Sequence, residues 1–285
     1  GVRADLDGHP SENGSALLVI NEPKGGGSDW HAVEIEANGA TLSAKIDGKE
    51  AEIKGSRGRG RIAFFYYGHG NRSPKPAGWG HRIALEIAEA KVQPLNLKPL
   101  FNGKDLSGWK EIPDHKSKFS VVDGALNIKD GNGQIETAEI FKDFALQLDI
   151  ISNGEHLNSG VFFRGPVGVF WKGYESQVRN HWEGADRTKP VDFGTGGNYG
   201  NQESRNVVST DHEWFTKTII VTGNHASVWL NGYQVSDFTD NRPINPDNDG
   251  KNGYVPGPGT VHLQGHDPTT DLSFKNINAT EYPKN

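Results

Sequence analysis

Residues 144–150 read Phe-Ala-Leu-Gln-Leu-Asp-Ile. In an extended chain Phe144, Leu146, Leu148 and Ile150 share one face, and Ala145, Gln147 and Asp149 share the other, because successive side chains point to opposite sides. One face packs against a core and the other meets water. Runs of the same kind occur at 161–164, 174–179, 218–221, 226–230, 261–264 and 272–275, with Gly and Pro between them. Short β-rich runs separated by turn residues define an all-β chain. The best helix candidate, 136–142, is too short to change that class.

Two stretches align without a gap: WHAVEIEANGATLSAKIDG at 30–48 and WFTKTIIVTGNHASVWLNG at 214–232. Each reads as Trp, strand, Gly-containing turn, strand, then Asp-Gly or Asn-Gly, which is hairpin chemistry. A looser likeness pairs 61–69 with 260–266 and 83–90 with 272–279. VQPLNLKP at 92–99 carries two prolines and ends both patterns, so a boundary is expected there. Residues 1–95 are predicted to form a reduced, non-catalytic β unit that resembles the C-terminal half of a complete unit at 96–285.

Composition excludes several function classes. Net charge is −6, and Lys and Arg cluster only in the Gly-rich run 55–61, which leaves no footprint for nucleic acid. No apolar run approaches the roughly 20 residues of a membrane span. Without cysteine there is no disulfide, thiolate metal site or cysteine nucleophile. A chain beginning at Gly1 with no methionine reads as an exported mature form, secreted or extracellular, with the periplasm as an option and of bacterial type. GTGGNYG at 194–200 has no strand before it or helix after it, and GGGS at 25–28 lacks a P-loop lysine, so both are turns. No G-x-S-x-G elbow or HExxH pair occurs.

From Leu100 onward the chain resembles the 3-keto-disaccharide hydrolase domain family. The runs that carry the likeness are PLFNGKDLSGW (99–109), VVDGALNI (121–128), FKDFALQLD (141–149), LNSGVFFR (157–164), GYESQV (173–178), HEWFTKTIIV (212–221), VWLNGYQV (228–235) and TVHLQGHDPTTDLSFKNI (260–277). They keep this order over about 185 residues. The resemblance implies an antiparallel β-sandwich, a concanavalin-like jelly roll, and cleavage of glycosides oxidised at C3 by elimination and hydration. Such chemistry needs a base near C2 and an electrophile at the ketone oxygen, a divalent metal ion being one option.

Alternation in GYESQVRN sets Glu175, Gln177 and Arg179 on one face of a strand. Taken alone, that stripe is a solvated sheet face with a charge pair. With the resemblance, Glu175 becomes the first functional carboxylate, as base, acid or metal ligand, and Gln177 a sugar contact. VHLQGHD likewise sends His262 and Gln264, and His266 if the strand continues, to a polar face. His266 matches a family histidine and is the expected base or ligand, with Asp267 orienting it. The alternative has His262 capping a neighbouring strand and His266 opening a turn. In NSGVFFR, Asn158 is a substrate contact and Arg164 offers a donor fork to a ketone or hydroxyl pair, unless it is tied to a structural carboxylate such as Asp149 or Glu175. His181 and Trp182 lie on a long loop, either to stack on a sugar or to cover the core's end. Asp247 and Asp249 resemble part of a calcium loop but lack the remaining ligands, so the metal stays unassigned.

Two functions follow from different classes. One is an exported carbohydrate-active hydrolase or lyase using Glu175, His266 and Arg164. The other is a non-catalytic extracellular protein that binds glycans or self-assembles through the same sandwich. NYGNQESRNVV at 198–208 departs from the basic character expected of the family's nearest members. Strands expected at 62–67 and 83–89 need a cover for an apolar face, and a second copy of the chain, in a homo-oligomer or filament, is the favoured one.

Overall fold

The computed structural model describes residues 16–18, 30–38, 41–55 and 93–282. The strands expected at 62–67 and 83–89, and the GGGS turn, lie outside these. The chain divides into two compact units, 1–88 and 89–285.

In the first unit β1 (Ala16–Leu18) pairs antiparallel with β5 (Ile53–Gly55), and β2 (Val33–Asn38), β3 (Thr41–Ile46) and β4 (Lys49–Ala51) form a meander. Ile46 and Lys49 pair across a two-residue turn in which Asp47 and Gly48 both have positive φ, 53° and 75°. That is the turn an Asp-Gly dipeptide favours, because its twist matches that of the strands it joins.

The second unit is all-β among the described residues, and its strands form an antiparallel sandwich. One sheet has five strands in the order β13 (Tyr174–Val178), β12 (Ser159–Gly165), β17 (Thr260–Gly265), β10 (Gly133–Thr137) and β7 (Trp109–Glu111). The other runs β16 (Tyr233–Thr239), β15 (His225–Leu230), β14 (Phe215–Thr222), β11 (Phe144–Ser152), β18 (Asp271–Glu281), β9 (Ala125–Lys129) and β8 (Lys118–Val122), with β6 (Lys98–Pro99) also on β18. Glu136, placed by the sequence at the start of a helix, lies instead in β10, and Phe141 bridges to Gly259. Lateral strand pairing satisfies that backbone better than an isolated turn of helix would.

Between the sheets the core takes every second residue of each strand. Phe144, Leu146, Leu148 and Ile150 of β11 are wholly buried, facing Val161 and Phe163 of β12, Tyr174 and Val178 of β13, and Val261 and Leu263 of β17. Alternation therefore turns Phe162, Glu175, Gln177, His262 and Gln264 to the outside of the five-stranded sheet.

Candidate functional site

Antiparallel register aligns those outward residues into two rows across the sheet. Glu136, His262, Phe162 and Glu175 are successive partners, and one step along the strands lie Gln134, Gln264 and, across β12 and β13, Gly160 and Gln177. Gly160 makes the hollow in which the carboxyl of Glu175 rests. A Cβ there would lie 2.2 Å from Glu175 Oε1 and 2.8 Å from its Cγ. Gly165, at the far end of β12, does the same for His262, whose ring atoms would meet an added Cβ at 2.5 Å.

Beside the Gly160 hollow lies a cavity of about 280 Å³. Glu175, His266, Gln264, Asn158, Asp249 and Lys251 supply its polar wall, and Phe162, Trp171 and Tyr199 its aromatic one. Glu175 and His266 thus meet in one pocket, with Gln177, Gln264 and Asn158 around them. His266 Nδ1 lies 3.0 Å from Asp267 Oδ2, which leaves the other ring nitrogen for the pocket, and Trp171 sets its edge against the imidazole at 5.8 Å. Asp267 is partly buried, which raises a carboxyl pKa, yet hydrogen bonds from Thr269 and His266 hold it below its usual value.

Burial pushes Glu175 up to about 8, with the nearby Asp192 adding to the shift against the opposing pull of Lys217 and Lys251. At neutral pH its carboxyl is therefore mostly protonated. Asp192 also organises the amides: its Oδ2 accepts from Asn158 Nδ2, Gln177 Nε2 and Arg179 Nη1, each at 3.2 Å. With its Nε2 donating to Asp192 and its Oε1 accepting from the Val178 N–H, Gln177 is fully engaged and acts as a prop. Asn158 Oδ1 and Gln264 Oε1 have no partner in the protein. Buried acceptors left unpaired are costly, and a hydroxyl-bearing ligand would pair them.

Four residues expected at the site lie elsewhere. Arg164 is 3% exposed and donates to the carbonyls of Lys142, Val255 and Gly223 and to Asp143. Its fork is spent pinning loops, and its carboxylate partner is Asp143 rather than Asp149 or Glu175. His262 is 0% exposed, beneath the loop 166–171, with Nε2 2.7 Å from Thr260 Oγ1. Burial pushes it down to about 4, so it is a neutral structural group. His181 stacks on His156 at 4.1 Å, and Trp182 lies under the guanidinium of Arg187 at 4.1 Å. Neither lines the cavity.

Sequence reasoning missed Trp171, Asp192, Tyr199, Lys251 and Gly160. Loop 166–171 crosses back over the sheet, held by both carboxylate oxygens of Glu136 on the Gly168 N–H (3.1 Å each) and by Gln134 Oε1 on the Trp171 N–H (2.9 Å). Trp171 has φ of 60° and stays 41% exposed. A left-handed backbone at a tryptophan half open to water is a costly arrangement. Such a placement depends on long-range pairing that no local pattern reports.

Among the described residues no group of three or more His, Asp or Glu gathers as a metal site, Asp247 and Asp249 included. Among the described residues, the donors around the cavity do not fit a resident metal ion.

An antiparallel sandwich with a polar pocket on the outer face of one sheet is a concanavalin-like jelly roll. The 3-keto-alpha-glucoside-1,2-lyase-like domain model matches residues 96–280, and the chain belongs to that family. Two solved structures from Parabacteroides distasonis ATCC 8503, both described as candidate glycosyl hydrolases, share the fold. One is 22% identical with a TM-score of 0.52, covering 66% of this chain and 94% of its own. The other is 23% identical with a TM-score of 0.51, covering 65% and 99%. A search of curated proteins gives no match.

Proposed function

We propose that the second unit is a carbohydrate-active lyase or hydrolase that cleaves 3-keto-glycosides in the Glu175–His266 cavity. What carries the reading is one cavity holding an imidazole backed by a carboxylate and a carboxyl that keeps its proton to about pH 8. An imidazole placed to take a proton and a carboxyl that holds one are the pair that elimination needs.

A ketone at C3 acidifies the C2 hydrogen. His266 removes that proton, electrons move toward the ketone oxygen, and the ammonium of Lys251 supplies positive charge to the resulting enolate. The C1–O bond then breaks, and Glu175 protonates the departing oxygen. Water adds at C1 of the unsaturated ketone and C2 regains a proton, which regenerates the free 3-keto sugar. Phe162, Trp171 and Tyr199 supply faces for the ring, and the unpaired oxygens of Asn158 and Gln264 accept from its hydroxyls.

The test is release of the leaving group from a phenyl 3-keto-glucoside. Glu175→Gln and His266→Ala should each lower kcat by about 100-fold or more, the usual loss for a general acid or base, with Tm within a few degrees of the parent. Undiminished turnover in both variants would refute the assignment.

A further inference from the structure

Lys217 sits where the pattern of β14 calls for an apolar residue. It falls between Phe215 and Ile219 on the inward face and is 0% exposed. Its side chain crosses the sandwich to β13, where Nζ donates to Gln177 O at 2.8 Å and to Ser176 O and Ser176 Oγ at 3.1 Å. Three acceptors face three ammonium hydrogens, a match that suits the charged form. Among the described residues no carboxylate forms an ion pair with it. Gln177 O already accepts the Gly196 N–H, so sheet pairing alone gives no reason for a lysine here.

Ser176 and Gln177 directly follow Glu175, whose side chain leaves the opposite face of the same strand. We propose that Lys217 is a positioning residue for the pocket carboxyl: its buried ammonium, bound to the backbone of β13, supplies the field that lets Glu175 form a carboxylate as well as an acid. This inference rests on the reading of Glu175 as the acid above. A group that gives its proton to the leaving oxygen must lose and regain that proton in every turnover. A desolvated carboxyl beside Asp192 with no cation behind it would be held in the acid form.

The charges around Glu175 come from several elements. Asp192 opposes its ionisation, Lys251 favours it from the pocket side, and His266 and Asp249 share the cavity. Lys217 acts from the core side, where no water screens it. Burial pulls Lys217 down to about 7, and Glu175 is the charge that pulls it back up, so each supports the other's ionised form. Such support is reciprocal.

The test is a carboxyl-carbon NMR titration of Glu175 in the full chain without ligand. Lys217→Met should raise the Glu175 midpoint by about one pH unit or more, the size of shift that a nearby opposite charge produces. The second arm keeps the lysine: Glu175→Gln should lower the midpoint of the Lys217 amine, followed by nitrogen NMR, by a comparable amount, and it decides alone if Lys217→Met does not fold. Unmoved midpoints overturn the inference. Turnover of phenyl 3-keto-glucoside separates the two claims. Shifted midpoints without turnover in the parent leave Lys217 coupled and sink the proposed reaction, whereas turnover with unmoved midpoints sinks only the role of Lys217. In an active parent, the pH profile of kcat should move alkaline in Lys217→Met.

Discussion

At the residue scale, Gly160 and Arg164 separate site from scaffold. Gly160→Ala puts a methyl into the space of the Glu175 carboxyl. Overpacking of this kind costs about 1–3 kcal/mol, and here the strain is relieved by moving a pocket side chain rather than a core one. The expected result is a small fall in Tm with a loss of turnover of about tenfold or more, as misplacement of a reacting group gives, read from one kinetic and one thermal measurement on the same variant. Arg164→Met should do the reverse. It strands three loop carbonyls and costs about 3 kcal/mol or more, so urea unfolding should shift far to lower denaturant while activity at low temperature persists. Loss of activity without loss of stability would return Arg164 to the chemistry. Glu175, His266 and Gln264 could be named from alternation and motif because strand period fixes the face a side chain takes. Arg164 shares that polar stripe in sequence, yet with φ of 56° at a break in the β12 register it turns into the protein.

At the element scale, β10 and loop 166–171 act together. The Glu136 carboxylate holds the Gly168 N–H and the Thr260 hydroxyl (2.9 Å) and so presents Trp171 to His266. Glu136→Ala should free the loop. Faster hydrogen exchange over 166–171 and a weaker KM for phenyl 3-keto-glucoside, with kcat less affected, are expected, since the change removes a binding face rather than a reacting group. Protection unchanged in that loop would show that packing alone holds it. Strands and their faces were legible in the sequence because they repeat locally, and the hairpins because Asp-Gly and Asn-Gly demand positive φ. The return of loop 166–171 across the sheet was not, since it depends on Glu136, Gln134 and a strand pairing more than 100 residues distant in the chain (Glu136 with His262).

At the scale of the whole molecule, the buried titrating groups set the pH dependence of stability. The folded chain keeps the Glu175 proton to about 8, while the unfolded chain releases it near 4.5, so this contribution falls as pH rises between those values. Lys217 works oppositely: the unfolded chain holds its proton to about 10.5 and the folded one to about 7, so stability recovers as pH rises across that range. His262, folded at about 4 and unfolded near 6.5, adds stability as pH rises through that window. Between about pH 5 and 8 the rises from His262 and Lys217 offset most of the Glu175 fall, so urea unfolding of Glu175→Gln should gain stability with rising pH relative to the parent, and parallel curves for the two would remove the carboxyl as a source of pH dependence. A chain of residues 93–285 should melt cooperatively by itself, because the core from Phe101 to Ala279 lies within it. Light scattering of the intact chain tests the sequence-based expectation that residues 1–95 mediate self-association, and a monomer at high concentration would end it.

Cleavage by elimination exchanges the hydrogen at C2 with solvent, and deuterium reports that exchange. Turnover of phenyl 3-keto-glucoside by the unmutated protein in heavy water should place about one deuterium at C2 of the released sugar, above the exchange of free 3-keto-glucose incubated alongside. Release of phenol with C2 still carrying its original hydrogen, or no release at all, would contradict the account.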